Sequence, residues 1–255
     1  MSLFAVSDLH VWGPDDPLYH SLLALLNERA APGDTVVLAG DLFDLFVGNK
    51  RIFRERYQGF FEALGAAGRR GVHTHYIEGN HDFLIRRAFR GIAGLQIHAH
   101  EVSLELGGRR FYFAHGDMAD RGDYGYRALR LLLRSPILKA FVAVAPGELV
   151  DRIGRGSSKR SSRYRPRLPT DLPAGRMERL RRVYRSYAAE KLAQGYDFVV
   201  LGHCHDLDEM SFQIGGRPGQ YVNIGFPRAH GSLLSWQPGE DRIHREALPK
   251  LPVMA

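Results

Sequence analysis

The chain has 255 residues, of which 44% are hydrophobic and 25% charged, a composition typical of soluble globular proteins. This length suffices for one sizeable α/β domain with an inserted subdomain. The single cysteine, Cys204, excludes an intrachain disulfide and favours a reducing compartment. The N-terminal "MSLFAVSDLH" lacks the basic region of a signal peptide, and the most apolar later stretch, 137–146, is too short for a membrane span. We therefore expect a cytoplasmic protein.

Positive charge is concentrated in one segment. Residues 151–187 contain 12 Arg or Lys and 3 Asp or Glu, an excess of +9, whereas the whole chain carries +7. A local basic block of this kind indicates an anionic partner such as phosphate, nucleic acid or an acidic membrane. The alternative is a solvated helix face.

The first elements alternate between strands and helices. Strands are predicted at the start of "LFAVSDLH" and in "TVVLAGDLFD" and "VHTHYIEGNHDF", with helices between them at "PLYHSLLALLNERA" and "RIFRERYQGFFEALGAAGRR". Such alternation favours a layered α/β fold with a largely parallel central sheet. The following "EVSLELGGRRFYFAHGD" predicts a hairpin that turns at Gly107 and Gly108.

The chain then changes character. No clear strand is predicted in residues of about 119–175. This segment instead contains an apolar helical stretch at 126–144 and a Gly/Ser/Arg-rich loop at 154–169. A long helix at 175–195 leads back to the strand "DFVVLG", and two hairpin-like segments follow. We expect a core made of residues 1–118 and 188–255, with an inserted basic and apolar helical cap at 119–187.

Five predicted strands each end in a polar cluster. Ligands bind just beyond the carboxyl ends of strands in open α/β sheets, so the five clusters are expected to converge. Residues i and i+2 of an extended chain point the same way, which pairs His203 with His205 and directs Cys204 elsewhere. One such cluster alone is more often structural, whereas five together indicate a site. The residues are Asp8 and His10; Asp41 and Asp44; Asn80, His81 and Asp82; His115; and His203 and His205.

Seven of these side chains offer two carboxylates, one amide and four imidazoles as ligands: Asp8, His10, Asp41, Asn80, His115, His203 and His205. Mixed oxygen and nitrogen donors favour a transition metal with open positions over Ca²⁺ or a thiolate zinc site. Seven ligands exceed the need of one ion, but they divide between two ions about 3.5–4 Å apart if one carboxylate bridges. We expect two divalent ions, for which Mn²⁺, Fe²⁺ and Zn²⁺ all suit the donors. Such pairs of ions serve in-line displacement at phosphorus.

The order and spacing of these clusters resemble the calcineurin-like metallophosphoesterases. The resemblance implies an α/β, four-layer α/β/β/α sandwich with an inserted helical cap. It also implies how the ligands divide between the two ions. Those of one ion are Asp8, His10 and His205, and those of the other are Asn80, His115 and His203, with Asp41 as the bridge.

A closer resemblance is to the UDP-2,3-diacylglucosamine hydrolases of the lipid A pathway. It rests on "SDLH", "GNHDFL", "AHGDMADRGDYGYRALR" and "YVNIGFPRAHGSL", and on an insertion placed like the lipid-holding cap of those enzymes. It implies cleavage of the UDP-2,3-diacylglucosamine pyrophosphate to UMP and 2,3-diacylglucosamine 1-phosphate. The implied substrate-binding residues are Asn80, His81, Asp123, Tyr126, Ser158, Ser162, Arg165 and His203.

This chain departs from the closer pattern at positions expected to contact substrate. His81 stands where those enzymes have Arg, Ser162 where they have Asn, and Arg165 where they have Lys. "NIGFP" also replaces a usual Gly-Asp/Ala-Trp. The departures leave the phosphoesterase chemistry untouched and bear on the choice of substrate.

His81 is the expected catalytic acid, oriented by the carboxylate of Asp82 or Asp44. An imidazole with a pKa near ~6.5 can protonate a leaving oxygen, whereas arginine can only stabilise its charge. A phosphomonoester leaves a pyrophosphate without such help. His81 therefore extends the plausible substrates to those with poorer leaving groups.

The cap combines apolar and basic residues. Apolar side chains from Leu129 to Val142 alternate with arginines and Lys139, so the segment suits an acyl pocket or an anionic membrane surface at the cytoplasmic face of the inner membrane. Alternatively, these side chains pack the cap onto the core. The basic run "GRGSSKRSSRYRPR" suits a pyrophosphate through its Ser and Arg donors, and equally suits membrane phospholipids.

Three functions follow from these patterns. The first is a pyrophosphatase acting on an anionic lipid-linked nucleotide. The second is the same chemistry on another anionic substrate, such as a nucleotide, nucleic acid or phosphoprotein. The third, a binding module without catalysis, fits poorly with an intact ligand set. Because the cap lacks aromatic platforms for base stacking, no stable nucleic-acid partner is expected.

Overall fold

A computed structural model describes the backbone of residues 1–164 and 174–250, and the side chains of 1–156 and 175–250. The described strands are β1 (Leu3–Val6), β2 (Thr35–Leu38), β3 (Phe46–Val47), β4 (His73–Ile77), β5 (Asp82–Phe83), β6 (Leu95–His98), β7 (Glu101–Leu106), β8 (Arg109–Ala114), β9 (Phe198–Leu201), β10 (Glu209–Ile214), β11 (Arg217–Asn223), β12 (Ser232–Trp236) and β13 (His244–Ala247). The described α-helices are α1 (Pro17–Ala24), α2 (Arg51–Arg56), α3 (Gln58–Arg69), α4 (Tyr124–Leu133), α5 (Pro136–Val144), α6 (Gly147–Tyr164), α7 (Ala174–Ala193) and α8 (Pro227–His230).

Most of the strands form two sheets. The first has the order β13-β12-β1-β2-β4-β6, in which β1, β2, β4 and β6 are parallel. The second has the order β10-β11-β9-β8-β7, in which β8, β9 and β11 are parallel. Strands β3 and β5 make a separate short parallel pair. The carboxyl ends of β1, β2 and β4 are therefore neighbours in one sheet, and those of β8 and β9 in the other.

The sheets pack face to face, with a helical layer outside each. Val37 and Ile77 of the first sheet share an apolar core with Phe113 and Val200 of the second. Helices α1 and α3 cover the outer face of the first sheet, and α7 covers that of the second. This α/β/β/α order confirms the predicted four-layer sandwich. Strand β2 is buried on both faces, which explains its continuous apolar sequence.

The cap segment is helical where it is described. The predicted helix over 126–144 is two helices, because Pro136 begins α5 and Ser135 caps it, its side chain accepting a hydrogen bond from the Leu138 N–H at 3.2 Å. The loop predicted to begin at Gly154 is wrong as far as Tyr164, since α6 continues through it. An ion pair between Arg155 and Asp151, one helical turn apart, supports α6 there.

Helix α7 runs without a break across the predicted cap boundary at residues 187 and 188, and its Tyr184, Ala188 and Leu192 pack on the second sheet. The division into core and cap at 118/119 and 187/188 stays a prediction. Among the described residues, no helix is both long and apolar enough to cross a membrane.

Candidate metal centre

The five polar clusters meet at one end of the sandwich. Three groups of side chains there bring possible ligand atoms within 4.8 Å of one another. They are Asp8 with His10 and His205; Asp41 with His115 and His203; and His10 with Asp44 and His81. The first holds the three ligands that the family resemblance assigns to one ion, and the second holds Asp41 with two of the three assigned to the other. Residues that follow strands of both sheets contribute to each of these two groups.

The backbone at these positions is left-handed. Among the described residues, seven other than glycine have positive φ, and five of those are predicted ligands. Their φ angles lie between 45° and 69° for Asp8, His10, Asp41, His203 and His205. Side chains two residues apart converge through this left-handed backbone, so the extended alternation expected from the sequence is wrong. Such conformations cluster at functional sites.

The first group brings a carboxylate oxygen of Asp8 close to ring nitrogens of His10 and His205. The Oδ1 atom of Asp8 is buried and accepts no hydrogen bond from the described residues, while His205 Nε2 lies 3.4 Å from it. His10 Nε2 lies 3.4 Å from His205 Nε2. Burial, together with the charge of His81, lowers the pKa of His10 to about 3, so this ring is neutral at pH 7. A buried carboxylate oxygen that accepts no hydrogen bond, close to the neutral ring of His10, fits a cation.

His115 is the centre of the second group. Its Nε2 atom lies 3.4 Å from Asp41 Oδ2, 3.2 Å from His203 Nδ1 and 3.1 Å from Asn80 Oδ1. Its Nδ1 lies 3.0 Å from the carbonyl oxygen of Ala39, which can hold the proton there and leave Nε2 for a metal. Burial lowers the pKa of His115, but the carboxylate of Asp41 outweighs it and raises the pKa to about 10. The surroundings therefore favour positive charge.

Asp41 lies between the two groups. Its Oδ1 accepts hydrogen bonds from the backbone N–H groups of Asn80 at 2.8 Å and His81 at 2.9 Å. Its Oδ2 is 3.4 Å from His115 Nε2 and 3.9 Å from His10 Nε2. One oxygen thus fixes the loop that carries Asn80, and the other faces both groups. This is the arrangement expected of a bridging carboxylate.

The carboxylate of Asp82 lies in a buried network of hydrogen bonds. It is fully buried, and its Oδ1 accepts hydrogen bonds from the N–H groups of Asp41 and Gly79. Its Oδ2 accepts from the Leu42 N–H and the Tyr76 hydroxyl. The carboxylate therefore positions the two loops that carry Asp41 and Asn80.

His81 is oriented by the backbone. Its Nδ1 lies 2.8 Å from the carbonyl oxygen of Asp44, so the ring donates there, whereas the sequence predicts orientation by the carboxylate of Asp82 or Asp44. The carboxylate of Asp44 lies in the same group as the rings of His81 and His10. The His81 ring meets the His10 ring edge to face, with centroids 4.8 Å apart. His81 is thus held beside the first group of ligands.

The predicted substrate-binding residues of the cap differ in position. Asp123 caps α4 by accepting a hydrogen bond from the Tyr126 N–H at 2.9 Å. The buried Tyr126 ring lies 5.4 Å from that of His203, and its hydroxyl donates to Asp117. Ser158 and Ser162 lie on α6. Arg165 is outside the described residues.

Several residues near the centre were not predicted. Phe226 stacks on the His205 ring, with centroids 4.5 Å apart and an interplanar angle of 10°. Arg228 donates to the carbonyl oxygens of Leu9 and His10 and pairs with Asp16. The sequence signal for both was the late "NIGFPRAHG", in which no single residue stood out. Phe226 thus packs on the predicted ligand His205, and Arg228 holds the backbone of the predicted ligand His10.

The family model for the calcineurin-like phosphoesterases matches residues 1–207. A UDP-2,3-diacylglucosamine hydrolase from Aeromonas salmonicida is 28% identical, over 98% of this chain and 96% of that protein. One from Klebsiella pneumoniae is 25% identical, over 96% and 99%. One from Escherichia coli O6:H1 is 30% identical over 64% of this chain and 68% of that protein.

The ligand geometry, the four-layer fold and the family match agree. The chain therefore belongs to the calcineurin-like phosphoesterase family and is a metal-dependent hydrolase of phosphoric ester or pyrophosphate bonds.

Proposed function

We propose that the protein hydrolyses the pyrophosphate bond of UDP-2,3-diacylglucosamine, giving UMP and 2,3-diacylglucosamine 1-phosphate, a step of the lipid A pathway. The observation that carries the proposal is the pair of facing ligand groups with Asp41 between them. The named activity of relatives aligned over nearly the whole chain supports the choice of substrate.

Asp41 is the bridging ligand in this proposal, and the other ligands divide between two ions as the family resemblance implies. The donor set suits Mn²⁺, with Fe²⁺ or Zn²⁺ as alternatives, because carboxylate, amide and neutral imidazole ligands are present together. Bound ions would polarise the phosphoryl oxygens and lower the pKa of water. The ligands are Asp8, His10, Asp41, Asn80, His115, His203 and His205.

His81 contacts the phosphoryl group and protonates the leaving oxygen in this account. The Asp44 carbonyl oxygen accepts a hydrogen bond from Nδ1, which fixes the ring. Nε2 is therefore the ring nitrogen left to protonate the leaving oxygen. Only the imidazolium can then donate from Nε2. The backbone N–H bonds to Asp41 keep His81 next to the ligands.

The cap holds the acyl chains of the lipid and contacts the membrane surface. The apolar side chains of the cap fall into two sets. In the first, Val142 is buried with the core and Leu133 and Leu138 pack against it, which agrees with the alternative that these residues pack the cap onto the core. Others are exposed, with 77% of Leu131, 82% of Ile137 and 83% of Val144 accessible. Exposed aliphatic residues beside Lys139 suit a lipid with an anionic headgroup. A cytoplasmic address on the inner face of the inner membrane follows from this substrate.

A second candidate is the same chemistry on another anionic substrate, favoured by His81 because an acid at this position serves poorer leaving groups. Purified protein with Mn²⁺ should be assayed on UDP-2,3-diacylglucosamine and on bis(p-nitrophenyl) phosphate. Release of UMP from the first supports the proposal. Robust turnover of the second with none of the first would favour the alternative.

A further inference from the structure

Two ion pairs join the cap helix α4 to loops that carry proposed metal ligands. Arg134, which caps the C-terminus of α4, pairs through Nη1 with Glu78 Oε2 at 2.8 Å. One turn earlier, Arg130 pairs with Asp117. Glu78 precedes Asn80 by two residues, and Asp117 follows His115 by two. The acid of each pair therefore lies two residues along the chain from a proposed ligand of the second ion.

The pair of Arg134 and Glu78 touches the ligand loop itself. Arg134 Nη2 lies 3.4 Å from the carbonyl oxygen of Gly79, the residue directly before Asn80. The other Glu78 oxygen, Oε1, accepts from the Ile85 N–H at 2.9 Å. Glu78 thus spans the loop from its first residue to the turn that follows it.

Both partners are largely removed from water. The side chain of Glu78 is 6% exposed and that of Arg134 16%. Removal of one partner would leave a buried charge without compensation, so the pair strongly favours a single position of α4 relative to the loop.

On the side of the core, two carboxylates hold the same loop. Asp82 accepts from the Gly79 N–H, and Asp41 accepts from the N–H groups of Asn80 and His81. Arg134 supplies the contact from the cap side. The loop is therefore held between core and cap, and its geometry depends on both.

We infer that Arg134 and Glu78 are positioning residues that couple the cap to the metal centre, so that displacement of α4 alters the placement of Asn80 and His81. The inference rests on the proposed ligand role of Asn80. It makes the cap a contributor to metal affinity and turnover as well as to lipid binding. The groups that support metal ligands commonly change metal affinity or activity by about 10–100-fold when replaced.

The chain offers a matched control. Arg56 and Asp151 also join the core to the cap, with Nη1 to Oδ1 at 2.8 Å and side chains 17% and 15% exposed. They link α2 to α6, and Arg56 makes no described hydrogen bond to the loop of Gly79 and Asn80. A purely structural role of cap–core pairs would make Arg134→Gln and Arg56→Gln behave alike.

The test measures Mn²⁺ binding by calorimetry, thermal stability, and kcat and KM on bis(p-nitrophenyl) phosphate for both variants. For Arg134→Gln we expect the affinity of the weaker Mn²⁺ and kcat to fall about tenfold or more. Arg56→Gln should change both less than about twofold at a similar loss of melting temperature. Arg134→Lys should restore part of the affinity, because it can still pair with Glu78.

Equal Mn²⁺ affinity and kcat in Arg134→Gln and Arg56→Gln would overturn the inference. If Arg134→Gln does not fold, Glu78→Gln provides the same comparison while keeping an acceptor for the Ile85 N–H. Mn²⁺ binding is measured without substrate. A failure of the proposed substrate would instead appear as wild-type protein inactive on UDP-2,3-diacylglucosamine.

Discussion

Asp82 Oδ1 accepts a hydrogen bond from the backbone N–H of Asp41 at 2.9 Å, which places one buried carboxylate directly behind the proposed bridging carboxylate. The same side chain accepts from the N–H groups of Leu42 and Gly79 and from the Tyr76 hydroxyl. Because four buried donors depend on it, its main contribution is to folding and to loop geometry.

Replacement of Asp82 by alanine should therefore destabilise the protein. The loss of one acceptor for several buried donors predicts a fall of about 3 kcal/mol or more in the free energy of unfolding, measured with urea. The free energy of unfolding of Asp82→Asn, which keeps one carbonyl oxygen, should lie between those of wild type and Asp82→Ala. A stability within about 1 kcal/mol of wild type, together with lost turnover, would instead indicate a direct catalytic role.

Gly79 is predicted to tolerate no side chain. A Cβ atom there would lie 2.2 Å from Asp41 Oδ1 and 2.5 Å from the Asp41 backbone nitrogen. Gly79→Ala should therefore displace the bridging carboxylate and abolish binding of at least one Mn²⁺, as measured by equilibrium dialysis. Gly13→Ala is the control, since nothing lies within 4 Å of its Cβ position. Two tightly bound ions in Gly79→Ala would contradict the geometry.

The effect of His81 should depend on the leaving group. For His81→Ala we expect kcat to fall about 10²–10⁴-fold on an alkyl phosphodiester such as glycerophosphoethanolamine, because general-acid help is lost. On bis(p-nitrophenyl) phosphate the loss should be much smaller, since p-nitrophenolate leaves without a proton. Equal losses on the two substrates would mean that His81 acts by contact with the phosphoryl group alone.

Acid should destabilise the protein in part through His75. Burial, with the nearby charges of His98 and His73, lowers the pKa of His75 to about 4 from an ordinary value of 6.5. Between those values the unfolded chain binds more protons, so stability falls as pH drops from 6.5 to 4, and it is unaffected above that window. His75→Gln should reduce this loss by about 1–2 kcal/mol in urea unfolding at pH 7 and pH 4. Equal losses in both proteins would exclude His75 as the cause.

The position of the site could be predicted because it follows from the sheets. Parallel strands β1, β2 and β4 end at one edge, so polar residues that follow each apolar run come together. The same holds for His115 after β8 and His203 after β9. The family resemblance added how these residues divide between two groups.

The local conformation could not be predicted in this way. Residue alternation assumes an extended chain, whereas Asp8 and His203 adopt left-handed backbone that only long-range contacts hold. One such contact is the hydrogen bond from the His203 N–H to Asp8 Oδ2, which joins the two sheets. No local pattern of residues contains that information.

The supporting carboxylates were missed for a similar reason. Glu78 and Asp117 differ from surface acids only through their partners on α4, which are Arg134 and Arg130. Glu78 and Arg134 are 56 residues apart in the chain, so no local sequence pattern indicates that they pair. The Gly and Ser content of α6 likewise suggested a loop, although ion pairs of Asp151 with Arg56 and Arg155 support the helix.

The central claim is a pair of ions that share Asp41, and the most direct measurement is the number and coupling of bound Mn²⁺ ions. Electron paramagnetic resonance of the Mn²⁺-loaded protein, with metal analysis of the same sample, should give two ions per chain with an exchange-coupled spectrum. Asp41→Ala should lose that coupling and its turnover of bis(p-nitrophenyl) phosphate. One ion per wild-type chain, or a coupled and active pair in Asp41→Ala, would contradict the account.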